Sequence, residues 1–207
     1  MPPDGQNPEP VATERTSLHP AEHRAYRELY AASRQLITRW RRVGAALEDT
    51  PVGARLEDGA AETSVLLTEL APRTASYGLY GSPTAQGMGA RIADVRTAFV
   101  DRSGDTGLVV RSAVLDMEHV TTLLRHLAEL ARARDDRDMA GFCEEWASRL
   151  ESTLDAVREG AVELGADPDR TSAPLNDSTV SRAAHGVGWV FGSIGEAVDK
   201  AIGRRRD

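Results

Sequence analysis

Between Gly107 and Arg134 the apolar residues fall at steps of three and four: Leu108, Val109, Ala113, Met117, Val120, Leu124, Leu127 and Ala131. A strand alternates every second residue. This spacing, held for about seven turns, therefore predicts one long amphipathic helix with a face in a core. A helix of that length needs partners to cover its stripe. In its middle stands Asp116-Met117-Glu118-His119, two carboxylates and an imidazole beside an apolar face, and the question of function turns on that cluster.

The partners are legible on either side. Ser17-Leu18-His19-Pro20-Ala21-Glu22 reads as a helix start, with proline and an acid in the first turn. The helix runs to about Leu47, with Tyr26, Leu29, Tyr30, Ser33, Leu36, Ile37, Trp40, Val43 and Leu47 on one face. Arg24, Arg27, Arg34, Arg39, Arg41 and Arg42 form a basic, solvated face opposite. Asp49-Thr50-Pro51 then opens a second helix, Val52 to Leu70, with the stripe Val52, Leu56, Ala60, Thr63, Leu66, Leu67, Leu70. The link is short, so the first two helices should be antiparallel neighbours. A glycine-rich crossing, Tyr77 to Gly89, leads to a short inserted helix carrying Met88, Ile92, Val95 and Phe99. After the helix at 107–134 comes the charged turn Arg134-Asp135-Asp136-Arg137-Asp138. The last long helix follows, with Met139, Phe142, Trp146, Leu150, Leu154, Val157, Ala161 and Leu164, stopped by Gly165-Ala166-Asp167-Pro168. No segment shows strand periodicity. The expected fold is all-α, a four-helix bundle with a short inserted helix.

The ends differ from the middle. Residues 1–18 hold four prolines by position 10 and few large apolar side chains, as a disordered leader would. The bundle takes 19–166, a linker 167–182, and a tail helix 183–207 punctuated by glycine. Gly188 and Gly192 stand four apart beside Trp189, Phe191 and Ile194, giving a face small enough for close helix contact. These five are the expected interaction residues. The tail would join the chain to a homo-oligomer or another protein partner, with a membrane surface for its terminal Arg204-Arg205-Arg206 as the alternative.

Composition narrows the classes. The net charge of −7 argues against a nucleic-acid partner. The single cysteine, Cys143, excludes an internal disulfide and a cysteine zinc cluster, and between Phe142 and Trp146 it reads as core. Neither a secretory leader nor a run of 18 apolar residues appears, so a cytoplasmic protein is expected. The glycines of 77–89 lack phosphate-loop spacing, and no Gly-x-Ser-x-Gly elbow occurs.

A di-metal bundle takes a carboxylate from each of two helices and Glu-x-x-His from each of the others. None of Glu57, Glu62, Glu118 or Glu145 has histidine three residues later, and adjacent Glu118 and His119 diverge by about 100° on a helix. Leu29-Tyr30-Ala31-Ala32-Ser33-Arg34-Gln35-Leu36 nonetheless resembles the first-helix Leu-Tyr-x-Ala-Glu-x-Gln-Leu of the ferritin-like YciE/YciF-type stress proteins. Glu62-Thr63 resembles their second-helix Glu-Thr, and Glu118-His119 the Glu-His of their third long helix. The resemblance covers about residues 24–165 and implies a ferritin-like bundle, iron as cofactor and a stress-related role. Against it, the family's first-helix glutamate falls on Ser33, a histidine on Gly59, an acid on Thr121 and a glutamate pair on Ser148-Arg149. What remains of the metal set is Glu62, Glu118 and His119. The expectation is therefore a bundle with a degenerate metal site and no cofactor, acting as a non-catalytic interaction or structural protein. An iron-binding di-metal oxidase is one alternative. The other is a cargo protein docked to a protein shell, because Phe191-Gly192-Ser193-Ile194-Gly195 is faintly similar to encapsulin-targeting tails. Ser33, Glu62, Glu118 and Arg149 are expected to converge inside the bundle, with Arg149 supplying the compensating charge.

Overall fold

A computed structural model describes residues 18–79 and 105–175. Among them are four long helices: α1 (Pro20–Ala46), α2 (Pro51–Thr74), α3 (Thr106–Ala133) and α4 (Arg137–Glu163). A fifth, α5, spans only Pro168–Ser172. No strand forms among the described residues, and the class is all-α.

Each helix starts where a side chain can take up its first free amides. His19 caps α1: its Nδ1 accepts from Ala21 N at 3.2 Å, and its own amide donates to Glu22 at 3.1 Å. Thr50 caps α2, Asp105 caps α3 and Asp136 caps α4, each accepting from the backbone amide three residues on. Helix α2 runs one turn past the expected Leu70 and contains Pro72. The turn into α4 is made by Asp135, whose φ of 61° is left-handed.

The four helices form a ring of contacts in the order α1, α2, α4, α3. Neighbours are antiparallel throughout. Tyr30 meets Thr74 while Gly44 lies against Gly53, and Arg39 meets Asp116 while Glu22 meets Arg134. Along the other two seams Arg55 reaches Ala156 and Glu69 reaches Trp146, while Glu118 meets Arg158 and Arg125 meets Glu151. It follows that α2 and α3 run in the same direction. Leu79 and Asp105 thus lie at opposite ends of the helical ring.

The core holds the predicted stripes, including Leu29, Leu36, Trp40, Leu56, Leu66, Met117, Leu124, Leu150 and Leu154, with Cys143 fully covered. Two assignments change. Leu108 is 40% exposed and lies off the α3 stripe, and Arg39, expected on the solvated face, is only 4% exposed. The linker expected from 167 begins instead with a helical turn. Asp167 caps α5, Arg170 pairs with Asp49 at 2.6 Å, and Ala173 O accepts from Thr106 N at 2.9 Å. Residues to 175 are thus fastened to the start of α3. Leu18, placed in the leader, packs against the core. The leader up to 17, the inserted helix with Met88, Ile92, Val95 and Phe99, and the tail with Gly188, Trp189, Phe191, Gly192 and Ile194 lie outside the described residues.

Candidate functional site

The expected convergence of four residues does not form. Glu62 and Arg149 do meet, on the α2–α4 seam, with Arg149 Nε 2.5 Å from Glu62 Oε1 and Thr153 Oγ1 donating to the other oxygen at 2.5 Å. The pair sits at the rim rather than in the interior, since Arg149 is 53% exposed and its guanidinium lies over the Trp146 ring. Glu118 is half exposed and is held by Arg158 at 2.5 Å. Arg149 and Arg158 are nine residues apart on α4, roughly 14 Å along the axis, so their glutamates stand at different levels. His119 turns to the α1–α3 edge, its Nε2 3.1 Å from Glu28. Ser33 is fully buried and its hydroxyl has no hydrogen-bond partner. Among the described residues no three His, Cys, Asp or Glu side chains group as metal ligands would.

What occupies the interior beside Glu62 is an indole. A Cβ at Gly59 would lie 2.4 Å from Trp40 Cζ3 and 2.9 Å from Thr153 Cγ2. Position 59 is glycine because Trp40 leaves no room for a side chain, least of all an imidazole. Trp40 is fully buried, and its Nε1 donates to Ala113 O at 3.2 Å, so the ring joins α1 to α2 and α3.

The other acid of the central cluster, Asp116, has a different partner. Arg39 Nη1 lies 2.7 Å from Asp116 Oδ2 and 3.3 Å from Ser112 O, and Nη2 donates to Ser112 Oγ. Ser112 and Asp116 are four apart on α3 and face α1 together, which draws the guanidinium inward. Sequence reasoning placed Arg39 among five other arginines on a solvated face. The signal it missed was the Ser-x-x-x-Asp step opposite.

A second polar group closes one end of the ring. Arg134 reaches Glu22 at 3.1 Å, Asp136 at 2.9 Å and Tyr77 Oη at 3.3 Å, and stacks on the Tyr77 ring. Burial opposes the guanidinium's charge, but the Tyr77 hydrogen bond and the Glu22 charge raise its pKa on balance. Tyr26 and Cys143 lie next to this group. Burial, then the neighbouring thiol and Glu22, raises the Tyr26 phenol well above its usual value, and its hydroxyl is unpartnered. Burial and the charge of Asp136 push the Cys143 thiol up to about 12, which keeps it protonated and unreactive.

Between α3 and α4 runs an open groove of about 630 Å³ that includes His126 and Ser148. Its cations are already engaged, Arg125 by Glu151 and Arg132 by Glu129 and Glu144. No nucleophile with an adjacent base stands in it. Comparisons of the chain with models of protein families, with curated proteins and with solved structures return no match.

Proposed function

We propose that this chain is a ferritin-like helical bundle without metal chemistry, acting as a non-catalytic interaction or structural protein in a stress-related setting. The observation that carries this reading is Trp40. Its buried indole lies where a side chain at position 59, one turn from Glu62 and the place of the family's histidine, would have to stand, so no ligand can be presented from there. Both Glu62 oxygens are already bonded, and Glu118 and His119 belong to other levels and edges of the ring. The residues present do not fit two metal ions, which require several anionic oxygens around them. The ferritin-like part of the proposal is supported by the topology, because one long connection between parallel second and third helices is the pattern of such folds. The partner, a second copy or another protein, would be held by the tail at Gly188, Trp189, Phe191, Gly192 and Ile194.

The test is metal loading. Purified protein incubated with excess ferrous iron in air and then desalted should retain less than one iron per chain and show no ferroxidase activity. Two tightly held irons per chain would overturn the proposal.

A further inference from the structure

The outward faces of α1 and α4 carry opposite charge in the same pattern. On α1, Arg24, Arg27, Arg34 and Arg41 are all exposed and fall within one arc of about 100°, with no acid among them. Arg24, Arg27 and Arg34 make no ion pair with any described residue, and Arg41 reaches only Ser64 Oγ at 3.2 Å. Between these arginines stand Ala31, Thr38 and Ala45.

The outer face of α4 mirrors this. Asp138, Glu145 and Glu159 are exposed at steps of seven and fourteen, without an ion-pair partner among the described residues, and Asp155 beside them meets only Arg158 of its own helix. The residues between are Gly141, Ser148 and Ser152. A Cβ on Gly141 would meet nothing within 4 Å. Glycine here weakens an exposed helix and serves no packing need among the described residues. Val162, 78% exposed, lies on the same face. The charge balance of the chain follows the same division. Residues 18–79 hold eight arginines and eight acids, whereas 105–175 hold eight arginines and fifteen acids, equal to the whole net charge of −7.

We propose that a second copy of this chain docks here, the arginine stripe of α1 in one copy lying along the acidic stripe of α4 in the next. Arg27, Arg34 and Arg41 repeat every seven residues, about 10.5 Å, and Asp138, Glu145 and Glu159 stand at seven and twice seven, so a single translation brings several pairs into register. The small residues between them let two helix axes approach to roughly 8–10 Å. Because α1 and α4 occupy opposite corners of the ring, the contact is heterologous: it leaves a free acidic face at one end and a free basic face at the other, and builds open chains or closed rings of copies. The contact is separate from the tail and independent of whether metal binds.

Sedimentation of the full chain against concentration tests this. At low ionic strength the protein should grow beyond one copy, and at ~1 M salt, where screening acts within about 3 Å, it should return to the monomer. The double variant Arg27→Glu with Arg34→Glu should weaken association by about tenfold or more, as should Asp138→Arg with Glu145→Arg. Mixing the two double variants should restore it. Gly141→Leu adds no charge and should block close approach while its circular-dichroism melt shows an intact fold. A wild-type chain that stays monomeric at low salt, or mixed variants that do not associate, would overturn the inference. Association abolished by Trp189→Ala with Phe191→Ala but insensitive to the charge reversals would assign it to the tail, sinking this inference while leaving the proposed function standing.

Discussion

Arg39 and Arg149 make the same chemical bond in different surroundings, and the surroundings decide what each is worth. Arg39 is almost wholly covered, so Arg39→Leu takes the guanidinium away from Asp116 and from two oxygens of Ser112 and should cost about 3 kcal/mol in urea unfolding. Arg149 is more than half in water, where solvent screens the pair, and Arg149→Leu should cost about 1 kcal/mol or less. The sequence suggested the reverse order. A stripe fixes which residues face inward to within about one position, yet the depth of a charged side chain depends on what the opposite helix offers, here Ser112 and Asp116. Alkaline pH gives a second residue-scale test. The Cys143 thiol and the Tyr26 phenol both titrate higher in the folded chain than in the unfolded one. The folded state then binds more protons, so their contribution is complete below the unfolded thiol value near 9 and falls as pH rises toward about 12. Midpoints of urea unfolding should decline between roughly pH 9 and 11, by up to about 1.4 kcal/mol per unit for each group, and Cys143→Ala should flatten the decline.

At the scale of elements, the helices were readable because each carries a single unbroken period and a cap. Thr50, Asp105 and Asp136 mark the starts of α2, α3 and α4 through chemistry local to a few residues. The sequence did not disclose the turn of helix at Pro168–Ser172. A five-residue segment has no period to detect, and its fastening depends on Thr106 and Asp49, far off in the chain. Nor did it show why two glycines face each other where α1 passes to α2. A Cβ on Gly53 would sit 2.0 Å from the carbonyl oxygen of Leu47, and one on Gly44 would sit 3.0 Å from Gly53 O. Gly53→Ala drives a methyl into backbone that cannot yield without opening the turn, and should destabilise by about 3 kcal/mol in chemical denaturation. A cost under about 1 kcal/mol would show that the turn has slack.

For the whole molecule, the all-α class and the antiparallel first pair follow from sequence, because short links and long stripes leave few arrangements. The placement of the candidate metal residues did not follow. Their spacing along each helix was legible, but their level across the ring depends on how α2, α3 and α4 slide past one another, which only packing sets. The direction of α3 has a consequence for how the chain can be divided. Helices α1 and α2 form one hairpin and α3 and α4 another, and the connection between 79 and 105 is the one covalent tie joining them. Contacts across the halves are extensive: Trp40 on Ala113, Arg39 on Asp116, Glu22 on Arg134, Glu62 on Arg149 and Arg55 on the carbonyl of Ala156. A protein built this way should tolerate being made as two polypeptides. Co-expressed pieces ending and beginning within 80–104 should co-purify as a one-to-one complex with native helix content, whereas a cut within the α3–α4 turn at Asp135 should not be tolerated, since Arg134 and Asp136 there hold Glu22, Tyr77 and the α4 cap. The same property would let the two halves be encoded separately, with assembly of the ring becoming the event that switches the protein on.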